Sequence, residues 1–303
     1  MTDPTAASIA SPDAAPAYPP ARRMDLVEDH FGVAVADPYR WLEQDVRDDP
    51  QVRAWVEAEN AATQAYVKTL PGRAALRARM ATLYDYARVG LPQKAGGRYF
   101  YTRNSGLQNQ SPLDVREGLD GAERLLIDPN SFASDGASAM AQWVASDDGH
   151  YLLYAVQDGG TDWRTLHVVD VERGAALPDR IEWVKFSNLA WRKDGSGFFY
   201  SRFDPPPEDD RFLATNLNQQ LWFHRLGTTQ ADDQLVYATP DRPRLGHSAQ
   251  VTDDGRWLLI TSAQGTDSRY ELTLLDLGDP QARPFPLVKG LDHGWQLAGN
   301  VAD

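Results

Sequence analysis

Six histidines, the Asp-Gly turns at Asp148, Asp194 and Asp254, and one serine beside a histidine are the residues of this chain whose types and spacing invite chemistry. The runs Asp147-Asp148-Gly149, Lys193-Asp194-Gly195 and Asp253-Asp254-Gly255 raise the question of calcium. A calcium loop spaces its oxygen ligands at alternating positions over about twelve residues and closes with a glutamate, and these runs lack that spacing. They suit a tight turn in which Asp and Gly relieve backbone strain before a strand. His30, His150, His167, His224, His247 and His293 fall mostly in or beside strand hairpins and form neither HxxxH nor HExxH, so they read as solvated or hydrogen-bonded surface residues. Gly246-His247-Ser248-Ala249-Gln250 lacks the last glycine that a sharp nucleophile turn requires, and no nucleophile is assigned. The sequence has no cysteine, which removes disulfides, thiolate nucleophiles and cysteine-based metal sites together. No cofactor and no metal is expected.

The elements that would position these groups repeat. DDGHYLLY from Asp147, KDGSGFFY from Lys193 and DDGRWLLI from Asp253 share an acidic turn, a short spacer and a mostly apolar run, and GGRYFY from Gly96 is a weaker copy. Alternating runs follow at Trp163 to Val171, Gln220 to Leu226 and Tyr270 to Leu277, each completing a hairpin. Leu125 to Ile127 and Leu235 to Tyr237 supply further strands, so each unit holds about four. The glycine-to-glycine intervals, Gly97 to Gly149, to Gly195 and to Gly255, are 52, 46 and 60 residues. Four-stranded units of about 40 to 50 residues are the mark of a β-propeller. Residues 92–303 hold about four such blades, and Trp295-Gln296-Leu297 reads as the opening strand of another. An incomplete ring is expected rather than a closed small one. The longest interval contains Asp204 to Asp210, read as a surface insertion.

Residues 24–91 differ. Asp49-Pro50 offers an N-cap and a first-turn proline, and Val52, Trp55, Val56, Tyr66, Val67 and Leu70 recur at helical spacing until Pro71-Gly72. Leu76, Met80, Leu83 and Tyr84 make a second amphipathic pattern. Two such stripes need a further partner surface. Residues 1–23, rich in Ala, Pro and Ser, read as a disordered lead-in without the basic start and apolar core of a secretory signal.

The net charge of -13 opposes phosphate backbones and anionic lipid, so neither a nucleic acid nor a membrane is an expected partner. With no cysteine and no signal, a cytoplasmic location is the simplest inference. Asp162-Trp163 and Trp191 are read as rings packed between neighbouring sheets, and Arg22-Arg23 as the edge of the lead-in.

From Val27 onward the chain resembles the N-terminal part of the prolyl oligopeptidase family of serine peptidases. The motifs run in order: DPYRWLE at Asp37, NSGLQNQSPL at Asn104, ASDDGHYLLYAVQDGGTDWRTL at Ala145, VKFSNLAW at Val184, NLNQQLWFHRLGTTQADDQLVY at Asn216 and DDGRWLLITSAQGTD at Asp253. DPYRWLE alone also fits oligopeptidase B, which prefers basic residues, whereas NSGLQNQS resembles the prolyl branch.

The resemblance implies a seven-bladed propeller capping an α/β-hydrolase domain, with the helical segment packed on that domain and the Ser, Asp and His triad in a long C-terminal region. It implies hydrolysis of short proline-containing peptides on the carboxyl side of proline, with the propeller restricting entry. None of the triad is recognised in this chain, which is therefore expected to be inactive alone, with the missing hydrolase domain as its structural partner. Phe186 matches a propeller aromatic that lines the substrate pocket, its alternative being blade core. Ala263 and Thr266 stand where mammalian members carry a substrate-facing Arg and Cys. The apolar helix faces and the edge of the last blade are expected to be exposed and the isolated chain prone to aggregate. The competing class is a non-enzymatic propeller scaffold that binds peptides or proteins.

Overall fold

The computed structural model describes residues 18–159, 161–207 and 215–300. The chain divides after Asp85 into two compact units.

The first unit opens with a hairpin of β1 (Val27–His30) and β2 (Val33–Ala36). Phe31 and Gly32 between them have φ of 57° and 86°, the paired positive values of a type I′ turn. Asp37 to Glu43 then forms a polar and aromatic knot. Arg40 bridges Asp37 and Glu28, and the buried Trp41 donates its indole N–H to Arg22 O at 2.8 Å and meets Trp55 edge-on. Arg22 lies over Trp41, and Arg23 lies over Tyr39 and donates to its hydroxyl. Helix α1 (Pro50–Thr69) starts where the Asp49 carboxylate accepts from the Gln51 and Val52 N–H groups, which satisfies donors the first turn leaves open. Gly72, at φ 78°, turns the chain into α2 (Arg73–Tyr84). Helix α2 buries none of its residues, and Leu76, Met80, Leu83 and Tyr84 are each more than half exposed.

The second unit is a succession of antiparallel four-stranded blades. A short β3 (Arg88–Val89) pairs with the far end of β5 in the first, which comprises β4 (Gln93–Ala95), β5 (Arg98–Asn104), β6 (Leu113–Glu117) and β7 (Arg124–Ile127). Next come β8 (Ala139–Ala145), β9 (Tyr151–Gln157), β10 (Arg164–Asp170) and β11 (Ala175–Val184). The third blade is β12 (Ala190–Trp191), β13 (Gly197–Arg202), β14 (Gln220–Arg225) and β15 (Gln234–Tyr237). The fourth is β16 (Leu245–Val251), β17 (Trp257–Gln264), β18 (Glu271–Asp276) and β19 (Phe285–Val288). One ladder pair, Val184 with Arg202, links the second blade to the third. The fold is thus mainly β, with the propeller blades expected from the repeat.

Burial on both sheet faces explains why the repeated strands are continuously apolar rather than alternating. In β9, Leu152 joins Phe100, Leu113 and Val115 between the first two blades, while Leu153 joins Leu166, Ile181, Phe198 and Tyr200 between the second and third. In β13, Phe199 turns the other way, to Leu221, Leu258 and Ile260. Each fully buried side chain contributes about 1.5–3 kcal/mol, so the double-sided strands hold neighbouring blades together. Trp191 packs on Tyr151 and donates to Val144 O at 3.1 Å, and Trp163 meets Trp183 and Phe203 edge-on.

The Asp-Gly turns share one construction. Asp148, Asp194 and Asp254 each accept from the N–H two residues on, and Gly149, Gly195 and Gly255 have φ of 70°, 69° and 76°. They also touch in series. Arg98 donates to Gly149 O at 2.8 Å, Lys193 pairs with Asp147 at 2.6 Å, and the Lys193 side chain runs beneath Gly255.

Trp295 to Leu297 forms no strand, and Trp295 is 43% exposed. Among the described residues no strand pairs with it, and the alternation of a strand sequence cannot substitute for ladder partners. The expected insertion lies partly outside the described residues: 204–207 are without regular structure, and 208–214 are not described. Of the lead-in, 1–17 lie outside the described residues and 18–23 carry no helix or strand.

Candidate functional site

At the blade ends opposite the Asp-Gly turns, the chain leaving β11 cannot continue extended. Phe186 adopts φ 53°, and Trp183 and Asn218 nearby adopt 62° and 60°. Positive φ costs a non-glycine residue about 1–3 kcal/mol and persists where the surroundings enforce it. The enforcing group is Gln219, 2% exposed. Its amide N–H groups donate to Lys185 O at 2.7 Å and Phe186 O at 3.3 Å, and its Oε1 accepts from the His247 N–H at 2.6 Å. One buried side chain thus ties the loop after β11 to β16 across the third blade. Ser201 N–H adds a bond of 2.7 Å to Ser187 Oγ.

So held, the Phe186 ring is 56% exposed and is not blade core. It faces a cavity of about 460 Å³, within the size range of small-ligand sites. Phe203, Tyr270 and Leu245 add apolar wall, and Gln219, Thr261 and Ser248 add polar groups. Ala263 and Thr266 line the same cavity. Three positions singled out in the sequence therefore meet here, from the end of the second blade and, in the fourth, from β17 and the β17–β18 turn. Gln219, Phe203, Arg244 and Tyr270 were not singled out. A polar residue just before an alternating strand was the available signal for Gln219, but its burial depends on packing between blades.

The cavity is of a size to bind a small ligand, but among the described residues it holds no nucleophile with its base. Ser248 lines it beside His247, yet the imidazole is otherwise engaged: Nδ1 lies 2.9 Å from Ser262 Oγ and Nε2 3.2 Å from Thr239 Oγ1. Burial, helped by the Arg242 charge, lowers the His247 pKa to about 4 and leaves the ring neutral at pH 7. Arg244 is the one formally charged side chain on the cavity wall among the described residues.

His224 departs from the surface role expected of the histidines, as His247 does. It is fully buried in β14, with Nδ1 2.6 Å from Asp233 Oδ1 and Nε2 2.9 Å from Asp179 Oδ1. Tyr200 donates to Asp233 at 2.5 Å and Gly227 N–H to Asp179 at 2.6 Å. Burial alone would lower the His224 pKa, but the two carboxylates more than reverse this and raise it to about 9. A sealed imidazolium between two carboxylates is a structural clamp, closed to substrate. The described residues include no group of three or more His, Asp or Glu poised to hold a metal, and none of their helices is long and apolar enough to cross a membrane. In the first unit, Val67, Leu70, Leu76, Met80 and Tyr84 line an apolar groove between α1 and α2.

Residues 19–303 match the family model described as the prolyl oligopeptidase N-terminal β-propeller domain. The chain is 33% identical over 286 residues to a prolyl endopeptidase of Elizabethkingia meningoseptica, covering 94% of this chain and 40% of that protein. Among solved structures, one from a study of two prolyl endopeptidases and their inter-domain dynamics is 47% identical, with a TM-score of 0.67 over 95% of this chain and 41% of that one. Prolyl oligopeptidase B from Galerina marginata, bound to a 35mer hydrolysis and macrocyclization substrate, is 27% identical with a TM-score of 0.77, over 94% of this chain and 43% of that one. The chain spans about 40% of the length of the curated relatives it matches. With blades, motifs and matches in agreement along its length, the chain belongs to the prolyl oligopeptidase family and carries that family's N-terminal β-propeller.

Proposed function

We propose that this chain is the substrate-admitting part of a serine peptidase that, when complete, hydrolyses short peptides on the carboxyl side of proline. The propeller restricts which peptides enter, and Phe186 lines the path of the bound peptide. The catalytic triad lies outside these residues, in a hydrolase domain against which α1 and α2 pack with their apolar faces. There a serine attacks the carbonyl after proline, a histidine takes its proton, an aspartate orients the histidine, and an oxyanion hole holds the developing charge. A cytoplasmic location, and a partner that is neither nucleic acid nor membrane, complete this reading, which the acidic charge and the lack of cysteine support.

The observation that supports this reading best is the cavity, where an exposed aromatic is fixed at positive φ by a buried glutamine in a family whose members cleave peptides. The test is turnover of a proline-linked chromogenic peptide. The 303-residue chain alone is expected to show none. In the complete protein, Phe186→Ala is expected to raise KM several-fold with kcat little changed, as loss of uniform binding does. Turnover by the chain alone refutes the missing triad, and an unchanged KM refutes the role of Phe186.

A further inference from the structure

Resting on the peptide-pocket reading above, we propose that Arg244 is a specificity-determining residue that recognises a carboxylate on the bound peptide. Arg244 is exposed on the cavity wall and makes no ion pair or hydrogen bond among the described residues. Its neighbours differ. Arg242 is paired with Glu271 at 2.8 Å and Arg269 with Asp267. Among the described residues no carboxylate lines the cavity, in a protein with 43 acidic and 30 basic residues. A cationic wall is thus the opposite of what composition supplies by default.

The surroundings favour a planar anion carried on an apolar body. Phe186, Phe203 and Tyr270 offer apolar surface, and the polar groups beside them, Thr261, Ser248 and Gln219, are neutral. His247 makes its two ring contacts with hydroxyls and adds no charge. Lys185, 5.3 Å from the Phe186 ring centroid, is a second cation on the same loop. A guanidinium offers a carboxylate two parallel N–H donors, which is stronger and more directional than an ammonium contact. A peptide bearing Glu or Asp, or a free C-terminus, within reach of the aromatic wall satisfies all of these groups.

The experiment measures fluorescence-anisotropy binding of labelled short proline peptides to the complete protein, its catalytic serine replaced by alanine so that peptides are bound and not cleaved. The peptides differ only in Glu against Gln at each position flanking proline, each made as free acid and as amide. Glu or free-acid peptides are expected to bind about five- to tenfold tighter, the range for one charge-assisted hydrogen bond in a half-open site. That preference is expected to vanish in Arg244→Gln, a surface change that leaves the core intact, and to shrink with added salt. Preference for Glu identifies a side chain as the source of the carboxylate, and preference for the free acid identifies the C-terminus. Phe186→Ala is expected to weaken all peptides while leaving the preference ratio intact. Equal binding of all peptides, or a preference that survives Arg244→Gln, overturns the role of Arg244 alone. Absence of binding by every peptide overturns the pocket reading with it.

Discussion

Replacing His224 with glutamine removes the cation that, among the described residues, pairs with the almost wholly buried Asp179 and Asp233. Breaking a buried ion pair by deleting one partner costs about 3–5 kcal/mol, because the remaining charge is left uncompensated. Here two carboxylates are left facing each other, and Asp179 Oδ2 has no hydrogen-bond partner to fall back on. The pH dependence gives an independent figure. A pKa raised from about 6.5 to about 9 corresponds to about 3 kcal/mol of stability. That stability is complete below pH 6.5 and drains away as pH rises towards about 9, where the imidazolium loses its proton. On the acid side the opposite partner matters: although burial opposes it, the His224 and Gly227 hydrogen bonds lower the Asp179 pKa, and its contribution is lost only as pH falls through that depressed value. The assay is urea unfolding followed by tryptophan fluorescence, with midpoints compared between about pH 6 and about pH 9. The variant is expected to unfold about 1–2 M earlier near neutral pH, given slopes of about 2–3 kcal/mol/M. The parent midpoint is expected to fall across that alkaline window while the variant's does not. A variant within about 0.3 M of the parent, or a parent midpoint flat over that window, would refute the buried imidazolium.

Two further outcomes test the packing. Gly149→Ala places a Cβ 2.5 Å from Ala95 O at φ 70°, whereas Gly97→Ala, at φ 86°, meets nothing within 4 Å. Chemical denaturation should show about 1 kcal/mol lost at Gly97 and at least twice that at Gly149, and equal losses would deny the contact between neighbouring turns. Changing Leu76, Met80 and Leu83 together to serine should reduce self-association and dye binding by the chain while moving its stability by under about 1 kcal/mol. A large loss of stability would mean that α2 is already covered.

The strands most readable in the sequence were those whose burial is extreme. The runs after each Asp-Gly turn are apolar because both faces of β5, β9, β13 and β17 are packed, and β10, β14 and β18 alternate clearly enough to be placed within a residue. Strands β8 and β16 were not marked. Most of β8 is only half-buried, and β16 buries Leu245, His247 and Ala249 on a face that reads as polar and small. His247 can be buried only because Thr239 and Ser262 meet its ring, and that partnership joins separate segments of chain. The same limit applied to His224, whose partners lie 45 residues upstream and 9 downstream. Phe186, Ala263 and Thr266 were readable through family resemblance, but the glutamine that holds the loop and the arginine at the cavity wall emerge only from how blades register against each other.

The two ends of each blade obey different rules of inheritance. At the Asp-Gly end, turns of fixed length rest on one another, so an insertion in one displaces its neighbours along the series. At the cavity end, the connection from β13 to β14 runs from residue 203 to 219 without disturbing the ladder on either side. Lineages descended from such a chain are therefore free to lengthen, shorten and recharge one rim, and with it the wall of the cavity, while the other rim preserves the spacing that keeps the blades in step.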